Sequence, residues 1–262
     1  MSYTQALVLG TVQGLTEFLP VSSSGHLILV PWIFGWPDQG LAFDAAIHLG
    51  TLAALLAYFR RELSELASGT LSRRVGVILL AASLPALAIG WLLNEWIAAN
   101  LRSSALIAGA TAFWAIVMWI ADRQARRRPA MAGEPLEHVS WGQGLAVGCA
   151  QTLALVPGTS RSGITITAGL LGGLDRPTAA RYSFMLGIPV TAAAGGYQML
   201  KLLREGWPEG AGGPLLAALL AAFVTGWVAV WFLVTYLKRG SLTPFVVYRL
   251  VLALVILLVT LR

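Results

Sequence analysis

Six polar residues crowd an otherwise apolar stretch near the N-terminus: Gln13, Glu17, Ser22, Ser23, Ser24 and His26. Gln13 and Glu17 are four apart and share one face of a helix. A hydroxyl cluster, an imidazole and a carboxylate are the groups of nucleophilic and acid–base chemistry. The hydroxyl can attack, the imidazole can move a proton near neutral pH, and the carboxylate can orient it. The serines can equally cap the helix that starts there. A second cluster is Pro157-Gly158-Thr159-Ser160-Arg161-Ser162-Gly163. Arginine grips phosphate at two points, and a helix start offers free N–H groups and a favourable dipole to an anion. Brought together, the two clusters suit a phosphate or diphosphate.

The elements that must position them lie in a membrane. Of 262 residues, 57% are apolar and 11% charged, and the mean hydropathy is +0.73. A soluble domain carries about 25% charge, so a large water-soluble enzyme, a nucleic-acid-binding domain and a disordered chain are excluded. The phosphate then belongs to a lipid. The +6 balance fits basic loops on headgroups, with no nucleic acid partner. Cys149 is the single cysteine, so no internal disulfide or multi-cysteine zinc site forms. The first nineteen residues hold no Lys or Arg, and no cleavable signal peptide is expected.

Six apolar stretches are long enough to span: about 41–59, 75–93, 104–121, 182–200, 214–237 and 244–261. Four others, 5–19, 26–34, 143–156 and 164–172, are too short and come in pairs around the two polar breaks. Each pair reads as a re-entrant hairpin, tolerated at that depth only where protein or a wet cavity surrounds it. At an offset of 138 residues Gly10, Gln13, Leu15, Ser22, Ser24 and Gly25 match Gly148, Gln151, Leu153, Ser160, Ser162 and Gly163. One hairpin plus three spans crosses an odd number of times, so the second half is inverted. The expected fold is therefore all-α integral membrane: six transmembrane helices plus two re-entrant helical hairpins in an inverted-topology repeat. It forms a single membrane domain over 1–262. Repeat 1 covers 1–121 with its hairpin at 5–34, a linker covers 122–142, and repeat 2 covers 143–262 with its hairpin at 143–172.

Loop charges orient it. One side gathers twelve basic residues: Arg60, Arg61, Arg73, Arg74, Arg123, Arg126, Arg127, Arg128, Arg176, Arg181, Lys238 and Arg239. The other has Arg102, Lys201, Arg204 and Arg262. The twelve belong in the cytoplasm, which puts both termini and the first hairpin's mouth outside. Asp44 and His48, four apart in the first span, could support the site or be purely structural, and the structural reading is favoured. Arg249, a turn and a half inside the last span, reads as snorkelling to the surface. Gln151 is expected to line the site by symmetry with Gln13.

Residues 13–27, Gln-Gly-Leu-Thr-Glu-Phe-Leu-Pro-Val-Ser-Ser-Ser-Gly-His-Leu, closely resemble the first signature of the bacterial undecaprenyl-diphosphate phosphatases, the bacitracin-resistance family. Residues 157–165, Pro-Gly-Thr-Ser-Arg-Ser-Gly-Ile-Thr, resemble the second. The resemblance implies removal of the terminal phosphate of undecaprenyl diphosphate, the lipid carrier of cell-wall synthesis, in the bacterial inner membrane, with a divalent cation, Mg2+ or Ca2+. It places the family's acidic pair on Gln13 and Glu17, its hydroxyl on Ser23, its histidine on His26 and its phosphate-holding arginine on Arg161. Ser22, Ser160, Ser162 and Thr165 would help bind phosphate, with Ser24, Gly25, Gly163 and Gln151 supporting them. Gln13 stands where the commoner form has Glu, and a neutral amide is the weaker cation ligand. A homodimer is compatible with this reading. A transporter or flippase of the polyprenyl phosphate carrier is the competing one, since broken helices in inverted repeats are transporter architecture. A transporter has no use for a Ser/His/Glu cluster. A type-2 phosphatidic acid phosphatase shares Ser24-Gly25-His26 but needs a histidine that does not follow Arg161.

Overall fold

A computed structural model describes residues 1–37, 39–101, 103–126, 135–205 and 212–260. In chain order its helices are α1 (Tyr3–Phe18), α2 (Ser23–Phe34), α3 (Gly40–Tyr58), α4 (Arg60–Ser68), α5 (Arg73–Asn100), α6 (Ser104–Arg126), α7 (Trp141–Gln151), α8 (Arg161–Leu171), α9 (Arg176–Glu205), α10 (Gly212–Tyr236) and α11 (Thr243–Thr260). Short 3-10 turns cover Leu136–His138 and Thr152–Leu155, and no strand occurs among the described residues. Arg102, Arg127, Arg128 and Arg262 from the charge count, and the middle of the 122–142 linker, lie outside the described residues.

The four short apolar stretches are the two helix–break–helix units, α1–α2 and α7–α8. Both begin the same way. Ser2 accepts from the Gln5 N–H while Gln5 accepts from the Ser2 N–H, and Ser140 and Gln143 repeat this capping box 138 residues on. Both lie against a long helix through a glycine. A Cβ at Gly10 would strike the Ala218 backbone of α10, and one at Gly148 the Ala82 backbone of α5. Only a residue without a side chain permits that approach.

Four helices are long and apolar enough to cross a membrane: Arg73–Leu93, Ser104–Arg126, Gly212–Tyr236 and Thr243–Thr260. Their outward faces are apolar, with Leu80 62%, Leu84 63% and Trp91 81% exposed, as lipid contact requires and water would not tolerate. The chain is a multi-pass membrane protein. The other two expected spans fall within α3 and α9, which pack on each other, with α3 also against α10 and α9 against α8. The α9 helix supplies much of the interior, including Tyr182, Phe184 and Leu186. The unexpected element is α4, in a stretch read as loop. It is polar and half-covered, with an Arg61–Glu65 pair at 3.1 Å one turn apart.

Candidate active site

Each break turns on a serine. Ser22 and Ser160, 138 residues apart, hold φ at +76° and +71°, a region serine enters at a cost of roughly 1–2 kcal/mol. Ser160 caps α8 by accepting from the Gly163 N–H at 3.2 Å. Ser22 makes no side-chain cap to α2, and its hydroxyl lies 3.3 Å from that of Ser24. The breaks touch: Ser162 Oγ donates to the Leu19 carbonyl at 3.2 Å, and the Gly158 N–H donates to Ser24 Oγ at 3.4 Å.

Glu17, buried at the end of α1, is the hub. Its Oε1 accepts from Arg161 Nη2 at 2.9 Å. Its Oε2 accepts from Ser23 Oγ at 2.8 Å and Gln13 Nε2 at 3.1 Å. The i, i+4 spacing did put Gln13 and Glu17 on one face, and the second break brings Arg161 onto it from the other half of the chain. Breaking a buried pair of this kind costs about 3–5 kcal/mol, because the surviving charge is left uncompensated. Arg161 keeps a buried Nε with no hydrogen-bond partner among the described residues, a donor still to be used.

His26 faces elsewhere. Its Nδ1 is 2.7 Å from the Ser22 carbonyl and therefore carries the hydrogen, so Nε2 accepts from the Tyr248 hydroxyl at 2.6 Å. The two rings stack with centroids 5.6 Å apart. No hydrogen bond joins Ser23 to His26 among the described residues; the hydroxyl rests on Glu17 instead. Among the expected phosphate ligands, Ser160, Ser162 and Thr165 spend their hydroxyls on the protein. Thr165 Oγ1 bonds the Arg161 carbonyl at 2.7 Å and Ser183 Oγ at 2.6 Å. Gly25 borders an apolar groove with Ile28, Leu29 and Trp32, and a Cβ there meets nothing closer than 3.7 Å. Gly163 is tight: a Cβ would press on Arg249 and Ser160. Gln151 does not join the cluster, and both ends of its buried amide lack partners among the described residues.

Two readings of the sequence are corrected. His48 is more than a scaffold residue, since its Nε2 approaches Glu17 Oε2 at 3.4 Å while Nδ1 sits 2.6 Å from the Asp44 carbonyl. Arg249 does not snorkel. It is fully buried, and its guanidinium donates to the carbonyls of Thr111 (3.2 Å), Gly158 (3.0 Å) and Thr159 (2.9 Å), with Pro20 at 3.5 Å. Three further residues carried no local signal. Tyr248 holds His26, Ser183 holds Thr165, and Gly187 leaves room for Arg161, because a Cβ at Gly187 would fall on the guanidinium.

Among the described residues no group of three or more His, Cys, Asp or Glu side chains gathers to hold a metal ion, and the oxygens that a divalent cation could use here are few. Glu17 supplies a carboxylate, and Gln13 Oε1 is a buried oxygen with no partner among the described residues. Mg2+ typically takes one or two such groups and completes its shell with water and substrate phosphate.

Comparison with known proteins gives one answer. The family described as "Bacitracin resistance protein BacA" matches residues 6–255. The undecaprenyl-diphosphatase of Gemmatimonas aurantiaca is 46% identical over 267 residues, 98% of this chain and 97% of that one. That of Chromohalobacter salexigens is 44% identical over 268 residues, 98% of each chain. That of Pelobacter propionicus is 42% identical over 263 residues, 96% of this chain and 94% of that one. With both signatures converging on Glu17 and matches at this length and identity, the chain belongs to the BacA family.

Proposed function

We propose that the chain hydrolyses undecaprenyl diphosphate to undecaprenyl phosphate and inorganic phosphate, recycling the cell-wall lipid carrier and conferring bacitracin resistance. The observation that carries this is the joining of Ser23 and Arg161, from opposite halves of the chain, on one buried carboxylate. Transport alone gives a hydroxyl no reason to sit on that carboxylate. Purified protein given farnesyl or undecaprenyl diphosphate should release phosphate, and a chelator should suppress release. Lipid translocation without phosphate release would overturn the assignment.

In the reaction, the Arg161 guanidinium and the N–H groups of Arg161 and Ser162 at the start of α8 hold the terminal phosphate. Ser23 Oγ attacks its phosphorus in line, forming a P–O bond as the bond to the bridging oxygen breaks and undecaprenyl phosphate leaves. Glu17, which already accepts the Ser23 hydrogen bond, takes the proton. Water then attacks the phosphoserine phosphorus: His26 Nε2 takes the water's proton once the Tyr248 hydroxyl turns away from it, and Glu17 returns its proton to Ser23 Oγ as the P–O bond breaks. A divalent cation held by Glu17 and Gln13 would neutralise diphosphate charge.

The topological part of the proposal is six spans and two re-entrant hairpins in inverted repeats, split as 1–121 and 143–262. The paired capping boxes, paired glycine contacts and paired positive-φ serines at one offset support it. The orientation puts both termini and the site's mouth on the outer side of the inner membrane. It is supported by clustering of the basic residues: Arg126 and Arg176 share Asp122, and Arg181 pairs with Glu62 at 3.1 Å. A cysteine replacing Glu137 in a Cys149-free background should resist impermeant label in intact cells. The apolar outer faces leave room for a homodimer, which light scattering in detergent checks.

A further inference from the structure

Arg249 is the one fully buried arginine among the described residues, and no carboxylate pairs with it among them. Its acceptors are all backbone carbonyls, and their placement is selective. Pro20 belongs to the first break, Gly158 and Thr159 to the second, and Thr111 to α6 between them. Thr111 Oγ1 donates to the same Gly158 carbonyl at 3.2 Å. The guanidinium also lies against the first turn of α8, as the clash of a Cβ at Gly163 with Nη1 shows.

Two irregular tips that meet inside a membrane have no ladder of main-chain bonds to set their separation. Apart from the side-chain pair of Arg161 with Glu17 at 2.9 Å, the bonds that reach across to a tip's own turn are few and long, Ser162 to the Leu19 carbonyl at 3.2 Å and the Gly158 N–H to Ser24 at 3.4 Å. A planar fork with five donors can bind several carbonyls at fixed angles, and an ammonium cannot. We propose that Arg249 is a positioning residue for catalysis: it clamps the carbonyls of both breaks and so fixes the distance between Ser23 on one tip and Arg161 on the other. It touches no substrate. Its effect reaches the reaction through the geometry of attack, where a displacement of about 1 Å can lower turnover by about 100-fold. This rests on the phosphatase reading for its kinetic consequence and on the structure alone for the clamp.

The test measures both consequences on Arg249→Lys, which keeps the charge and loses the fork. Hydrogen–deuterium exchange of the full-length protein in detergent should accelerate in peptides 19–25 and 157–163 together, with α5 and α10 unchanged. For turnover of farnesyl diphosphate, kcat per folded enzyme should fall at least tenfold while KM stays within about twofold. Equal loss of kcat and KM binding, unchanged kcat, or faster exchange confined to α11 would overturn the clamp. If Arg249→Lys does not accumulate folded, Thr111→Val decides: a severalfold drop in kcat with faster exchange at 157–163 supports the proposal, and wild-type behaviour sinks it. Wild-type protein without phosphatase activity would instead defeat the functional reading, and the exchange result would still judge the clamp.

Discussion

The two breaks are built alike and equipped differently. Each follows a helix begun by the same capping box, bends at a positive-φ serine and opens a half-helix. The chemistry does not repeat. At the offset of 138 residues Glu17 corresponds to Leu155, Ser23 to Arg161 and His26 to Ile164. Helix α1 stays regular past Glu17, so Gln13 lies one turn below and donates to it. Helix α7 stops at Gln151 and tightens into a 3-10 turn, which leaves the Gln151 amide without partners among the described residues. In the proposed reaction one unit supplies the reacting groups and the other supplies the grip. The paired units supply the meeting point of two tips, and in the proposed reaction the asymmetry of their side chains makes that meeting point reactive.

The largest expected effect comes from removing what only the first unit has. Ser23→Ala should lower phosphate release by about 1,000-fold, within the range of losing a central acid–base or nucleophilic group. Quenching wild-type turnover should leave acid-stable phosphate on Ser23; acid-labile phosphate on His26 would transfer the attack to the imidazole. Next comes the grip: Arg161→Lys should lose about 100-fold, because lysine keeps the charge without two-point binding. Near-normal turnover there would reduce Arg161 to a partner of Glu17. Gly187→Ala, which pushes the guanidinium aside without touching it chemically, should cost about tenfold in kcat/KM.

The smallest effect gives the sharpest contrast. Gln13→Met removes a donor from Glu17 and should reduce turnover severalfold. Gln151→Met, the same change at the equivalent position, should leave turnover intact and raise thermal stability, by about 1 kcal/mol, since it deletes a buried amide that finds no partner. Equal losses from the two would show that both units serve catalysis.

What the sequence made legible follows from locality. Glu17, Ser23 and Arg161 announce themselves as polar residues inside apolar runs, and the breaks by their Pro, Gly and Ser content. Helices α1, α2 and α8 lie close to their expected bounds, whereas α7 stops at Gln151, short of the expected 156, where a 3-10 turn takes over. His48 was misjudged because its partner lies 31 positions away on another helix, and nothing within α3 shows that its ring faces Glu17. Arg249 was a visible anomaly with an available bland explanation, and only the packing of α11 against α6 and both breaks reveals where it points. Tyr248 and Gly187 gave no signal at all, since an aromatic and a glycine are ordinary in a membrane helix.

The position of Arg249 along the chain has a consequence for biogenesis. A guanidinium entering the bilayer core alone costs roughly 2.5–3.5 kcal/mol on insertion scales. All four of its carbonyl acceptors, at residues 20, 111, 158 and 159, lie in segments N-terminal to α11. By the time the ribosome delivers the last span, every group that can receive the charge has already been made. The same arginine in the first helix would have to wait for its partners in lipid.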